Sequence, residues 1–286
     1  MLLTREDLRF DFKGACFDLK SPSDLRLLGW TFSQFLYGEV TGIQCGWWLY
    51  RAPHLDAAVF LARQAGEELS HVRRILKILS ILGERPEKAH GAVRFLSTGM
   101  MGHSWGEHVA IEMALGEGLV LGIFYAMTDT IPDPEIQRIL STATTEEERH
   151  VEFGERETIA WLRIHPQSRR LLLGLALVQT WALRFLKRFI VKKLSRKLDP
   201  SHPVMSRFGP FYDHVVRCFE IRIERLGLSS IPLSRLGLPT KIFLVGLLPF
   251  RMLWGRLQWK TPPLTDTYLE DPSVKDSISL EKSSGL

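Results

Sequence analysis

Six side chains of this 286-residue chain have the types and the spacing to hold metal ions. Glu39 stands alone between Gly38 and Gly42, and Glu68 and His71 follow in the run Glu67-Glu68-Leu69-Ser70-His71. Further along, Glu117 stands alone between Gly116 and Gly118, and Glu147 and His150 follow in Glu146-Glu147-Glu148-Arg149-His150. Glu39 precedes Glu68 by 29 positions, and Glu117 precedes Glu147 by 30. On a helix, residues three apart share a face and lie about one turn from each other. A Glu and a His so placed can grip one ion while the lone Glu reaches it from a neighbouring helix. Two copies offer four carboxylates and two imidazoles without a thiolate, a donor set that suits iron or manganese better than structural zinc. One Glu-x-x-His alone is ordinarily a solvated pair; its repetition behind a matched upstream Glu is what marks a ligand set. Glu67 and Glu146, four positions before the histidines, are competing donors.

The elements that must position these residues can be read from their punctuation. Ser21-Pro22-Ser23-Asp24 is a helix start, and a first helix runs to about Tyr50, closed by Ala52-Pro53. A second runs from Leu55 to Leu82 and stops at Gly83, where a C-terminal glycine belongs, with Phe60, Leu61, Ile75, Leu79 and Leu82 at helical spacing. Residues 83–102 are too long for a tight turn and suit a crossover. A third helix spans about His103–Thr128, a turn follows at Asp129–Asp133, and a fourth runs from Pro134 to before Pro166, fraying near Ser141–Thr145. Short, long and short connections are those of a four-helix bundle with one crossover. Glu39 lies 14 residues before Pro53 and Glu68 lies 15 after it; Glu117 lies 15 before Pro132 and Glu147 lies 15 after that. At about 1.5 Å per residue, each is about 21–23 Å from its own turn, so all four helices bring their acids to one level.

This pattern resembles the ferritin-like di-iron carboxylate superfamily, in which two helices give one Glu each and the other two give Glu-x-x-His. The resemblance covers residues 22–165, and the text Glu146-Glu147-Glu148-Arg149-His150-Val151-Glu152-Phe153-Gly154 is similar to the last metal-binding helix of ribonucleotide reductase small subunits and related oxidases. It implies an all-α, ferritin-like four-helix bundle with one long crossover. It selects Glu68 and Glu147 over their neighbours, since the family spacing is i, i+3. It further implies two iron ions, with Mn/Fe as the alternative, bridged by Glu68 and Glu147 and capped by Glu39, Glu117, His71 and His150. Dioxygen would be the co-substrate, and the outcomes known for the family range from hydroxylation and desaturation to ferroxidation. Each His should donate its second N–H to an acceptor, for which Glu112 is a candidate. Gly38, Gly42, Gly118 and Gly122 flank the lone glutamates, and a helical glycine costs up to about 1 kcal/mol against alanine, so either room for metal, dioxygen or substrate or close packing between helices is expected there. Tyr37 and Tyr125 are expected in the core. Glu148 and Glu152 should lie on an exposed face, and His54, His90, His103, His108, His165, His202 and His214 at the surface or at helix caps.

Composition sets the remaining bounds. The chain is 45% hydrophobic and 24% charged, ordinary for a globular protein. Cys16, Cys45 and Cys218 are widely spaced and form no C-x-x-C, so neither a disulfide framework nor a thiolate zinc site is indicated. No stretch reaches about 18 uncharged apolar residues, and the charged N-terminal run does not read as a signal peptide. A cytoplasmic location is expected, with the inner membrane surface as the alternative.

The net charge of +5 is unevenly spread: −7 over residues 1–162, +15 over 163–260 and −3 over 261–286. The expected organisation is an N-terminal arm (1–21), the bundle (22–165), a basic helical extension (166–260) and a disordered tail (261–286). Within the extension, one helix spans residues 168–198, another Val204–Leu226, and an amphipathic segment Lys241–Leu257. The expected function is an O2-dependent di-iron oxidoreductase of the hydroxylase, monooxygenase or desaturase class acting on an apolar organic substrate. Electrons would come from a separate reductase or ferredoxin. A homodimer is a further expectation; most of the basic half is expected to pack its apolar side on the bundle with its lysines in water, with peripheral membrane contact through the basic helices as the alternative, and nucleic acid is not an expected partner, since no recognised motif accompanies the charge. The competing classes are a ferroxidase or iron-handling protein and a non-enzymatic, membrane-associated helical bundle.

Overall fold

The computed structural model describes residues 1–91, 93–94, 97, 102–197, 201–246 and 248. It is all-α, with no strand among the described residues. Among the described residues the helices with defined bounds are α1 (Arg5–Leu8), α2 (Pro22–Gly42), α3 (Leu55–Ile81), α4 (Trp105–Thr130), α5 (Pro134–Ile164), α6 (Arg169–Lys197), α7 (Pro203–Arg225) and α8 (Leu238–Val245). They fall into two compact units, one drawn from Asp18–Met100 and the other from Met1–Phe17 with Met101–Trp254.

The first unit is the α2–α3 hairpin. Ser21 caps α2 by accepting from the Asp24 amide, with Pro22 opening the helix. The expected helix to Tyr50 is α-helical only to Gly42; Ile43–Arg51 tightens into a 3-10 helix that buries Cys45 and Trp48. After Pro53, His54 Nδ1 accepts from the Ala57 amide at 3.1 Å and caps α3. At its far end Gly83 takes the left-handed backbone, φ 70°. The buried stripe of α3 reads Leu61, Gln64, Glu68, His71, Val72, Ile75, Leu79. Three polar residues therefore stand within an otherwise apolar face at helical spacing.

In the second unit α4 and α5 pair through the turn at Ile131–Asp133, and Asp133 caps α5 by accepting from Ile136 at 2.8 Å. Helix α4 is not uniform: His108–Glu117 is a π-helix between α-helical ends. Helix α5 is continuous through Ser141–Thr145, where fraying was expected; Thr142, Thr144 and Thr145 each bond the carbonyl four residues back, which keeps their hydroxyls inside the helix's own hydrogen bonding. Gly154 lets α5 approach the π segment, since a Cβ there would meet the Ala114 nitrogen at 2.7 Å. The N-terminal arm holds α1, and Leu3 and Leu8 pack with Leu121, Tyr125, Val151 and Cys218. Phe12 and Ala15 pack with Ala126, Val204, Phe211 and Val215. Arm, α4, α5 and α7 thus share one core. Of the segment Lys241–Leu257, the described part is helical from Leu238 to Val245, and the expected tail lies outside the described residues.

Trp105–Thr130 is long and apolar enough to cross a membrane by length and composition, with mean hydropathy 1.6 over its best window. That window is 67% buried by the protein's own side chains, so here it serves as a core helix.

Candidate metal centre

Each unit brings its Glu-x-x-His pair together, and in each the upstream Glu offers a donor near the histidine. In the first, His71 Nδ1 lies 3.1 Å from Glu39 Oε2 and 3.8 Å from Glu68 Oε2. All three residues are buried, and their candidate ligand atoms lie within 4.8 Å of one another. The 3-10 segment explains the level at which they meet. Its rise of about 2.0 Å per residue, against about 1.5 Å in an α-helix, carries Glu39 to about 25 Å from the turn. That places Glu39 between the depths of Glu68, about 22 Å, and His71, about 27 Å.

In the second unit, His150 Nδ1 lies 3.5 Å from Glu147 Oε2, and Glu117 offers a donor within 4.8 Å of His150. Glu147 and His150 are buried and Glu117 is partly so. Glu117 is the last residue of the π-helix, and the α-helical run to Thr130 lies between it and the turn, so its depth is that of a regular helix. In both units the histidine presents the same ring nitrogen to the Glu one turn before it.

The donor chemistry fits a transition metal held by oxygen and nitrogen. Two buried carboxylates crowded around one imidazole repel each other, and a divalent cation cancels both charges. The space is also built for the carboxylate: a Cβ at Gly42 would sit 2.6 Å from Glu68 Oε2, so the glycine lets Glu68 lean across the α2 backbone. Glu39, Glu68 and His71 in one unit are therefore a buried Glu/His cluster able to hold metal, and in the other His150 stands beside Glu147 with a Glu117 oxygen within reach. Of the competing donors, Glu67 Oε1 takes the Arg63 Nε–H at 2.8 Å on the outer face of α3.

Several expectations change on the structure. The room at Gly42 is filled by Glu68, and that at Gly118 by Arg222, whose Nη1 lies 2.1 Å from where a Cβ would be. Gly122 faces Val215 at ordinary contact distance, 3.7 Å, and only Gly38 of the four opens on space within 4 Å. Glu112 does not serve the metal histidines: it takes the Gly102 amide and pairs with His108 Nδ1 at 3.0 Å. His108 itself is buried rather than superficial, because the π segment turns it into the core. Glu148 is half-covered: Arg5 grips both its oxygens at 2.6 Å, and the Tyr125 hydroxyl donates to it. Burial would raise the Glu148 carboxyl, but the bonds from Arg5 and Tyr125 outweigh it and hold it below the ordinary range.

Sequence reading missed two residues beside the second triad. Arg222 of α7 is fully buried and donates Nε–H to Glu155 Oε1 at 3.0 Å, while Glu155 Oε2 takes the Leu2 amide. Arg222 Nη2 has no hydrogen-bond partner among the described residues. Burial is the largest influence on both groups, raising Glu155 and lowering Arg222. Gln64 was missed as well: one turn before Glu68 on the same buried stripe, its amide nitrogen lies 3.5 Å from Glu68 Oε1.

Compared with protein-family models, with curated proteins and with solved structures, the chain matches none.

Proposed function

We propose that the two triads are the halves of one dinuclear centre, and that the protein is an O2-dependent di-iron oxidoreductase of the hydroxylase or desaturase class. The observation that carries the reading is the duplicated Glu-x-x-His pair, with the carboxylate facing the same nitrogen of the histidine in each copy. Glu39, Glu68, Glu117 and Glu147 would neutralise two divalent irons, with His71 and His150 supplying the neutral donors. When bound, the metals supply the reduction of dioxygen; hydroxylation of a C–H bond puts one oxygen atom into product and one into water and takes two electrons and two protons from a separate donor.

The chain's own residues hold, orient and exclude. Gly42 leaves the space into which Glu68 leans, and Arg222 fixes Glu155 two turns beyond Glu147 on α5. The positions around the ligands on their own helices, Leu61, Val72 and Ile75 on α3 and Val151 and Phe153 on α5, are fully or almost fully buried and apolar, which keeps water from the donors. An apolar substrate and a reductase or ferredoxin as electron donor complete the proposal.

The test is anaerobic titration with Fe(II) followed by a pulse of dioxygen. Binding of about two irons per chain and consumption of about one O2 per pair are expected of a two-metal site. Failure to bind Fe(II) overturns the proposal. Continued oxidation of added iron far beyond that stoichiometry, with mineral accumulating, replaces the oxygenase with a ferroxidase.

A further inference from the structure

The second unit carries a surface with no part in the triads. Helices α6 and α8 lie in close contact where Gly174 meets α8: a Cβ there would fall 2.6 Å from the Leu244 carbonyl. Neither helix contains an acidic residue; α6 has nine Lys or Arg, and α8 has Lys241. A helix that only faces water normally mixes both signs of charge. Large apolar side chains nevertheless stand in solvent on this pair: Phe185 is 64% exposed, Phe243 68%, Leu238 66% and Ile242 56%. Trp181 lies one turn from Phe185 on α6 and is also exposed. Arg170 stacks its guanidinium over Phe243 at 4.0 Å. Arg184 and Lys187 are held by Glu220 and Asp213 of α7, while Arg169 and Arg188 extend into solvent.

We infer that α6 and α8 form a docking face for an anionic phospholipid bilayer. Aromatic and aliphatic side chains among arginines and lysines are the composition of a helix lying in a membrane interface. The apolar groups enter the acyl boundary while the cations stay at the headgroups. Charge decides between occupants. A second copy would bring one basic face against another, since residues 163–260 carry +15. Nucleic acid would use the cations but leave Leu238, Ile242 and Phe243 without a partner. The inference does not depend on metal binding.

The experiment is flotation of the full-length protein with vesicles of neutral phosphatidylcholine or of phosphatidylcholine mixed with phosphatidylglycerol. The anionic vesicles should bind at least about ten-fold more tightly, and the difference should vanish near 1 M salt, where the screening length is about 3 Å. Phe185→Glu and Phe243→Glu should each weaken binding by about ten-fold, with the helical circular dichroism unchanged because both side chains are exposed. Equal binding to neutral and anionic vesicles, no binding to either, or variants that bind like the parent overturn the inference. So does a concentration-dependent dimer that the same variants dissolve, which would assign the face to a second copy.

Discussion

A methyl group at position 42 would claim the space that the Glu68 carboxylate uses, 2.6 Å from Oε2. Gly42→Ala should therefore push Glu68 aside at little cost to the fold, because the displaced atoms end a flexible side chain. Alanine is favoured over glycine inside a helix by up to about 1 kcal/mol. The variant should melt no lower than the parent yet bind iron about ten-fold or more weakly; thermal melts and metal analysis check the two halves of that statement. Arg222 and Glu155 behave oppositely. Arg222→Met strands a buried carboxylate and should cost about 3–5 kcal/mol, read from denaturant unfolding. Burial holds Glu155 above its ordinary 4.5, so its contribution to stability is full below about pH 4.5 and is lost as pH rises through the raised value. Glu155→Gln should flatten the slope of stability against pH in that window. The triads were legible in the sequence because Glu-x-x-His is a local signal. Arg222 was not: it stands 67 positions from Glu155, and beside Arg217 and Arg225 nothing local marks it as the one turned inward.

At the scale of elements, caps and turns were read well because Ser21, Pro53, Gly83, Asp133 and Pro134 act within a few residues of themselves. The switches of helix type were not. A 3-10 run over Ile43–Arg51 and a π run over His108–Glu117 are imposed by packing, and apolar periodicity is too coarse to separate i+3 from i+5 bonding. Part of the extension belongs to the core of the second unit. Phe219, Arg222 and Ile223 of α7 are buried, and Cys218 packs with Leu3, Leu8, Leu121 and Val151. Truncation after Pro166 should therefore abolish the cooperative melt of the second unit and expose its apolar surface. A truncated chain that melts cooperatively and still binds metal would show that α4 and α5 need no support from α7.

At the scale of the whole chain, charge and chemistry are divided. The acids able to hold metal lie in residues 1–162, and most of the cations lie on helices beyond them. That division was visible in composition, whereas the burial of the N-terminal arm among α4, α5 and α7 was not, since Leu3 and Leu8 meet partners more than a hundred positions away. The claim on which the functional reading rests is that the duplicated triads share one centre. It is tested most directly by the iron and manganese content of anaerobically purified protein, compared with Glu68→Ala and Glu147→Ala. A shared, carboxylate-bridged centre should hold about two ions per chain and lose both in either variant. A parent chain without stoichiometric transition metal, or variants that each lose only one ion and keep the other, would contradict it.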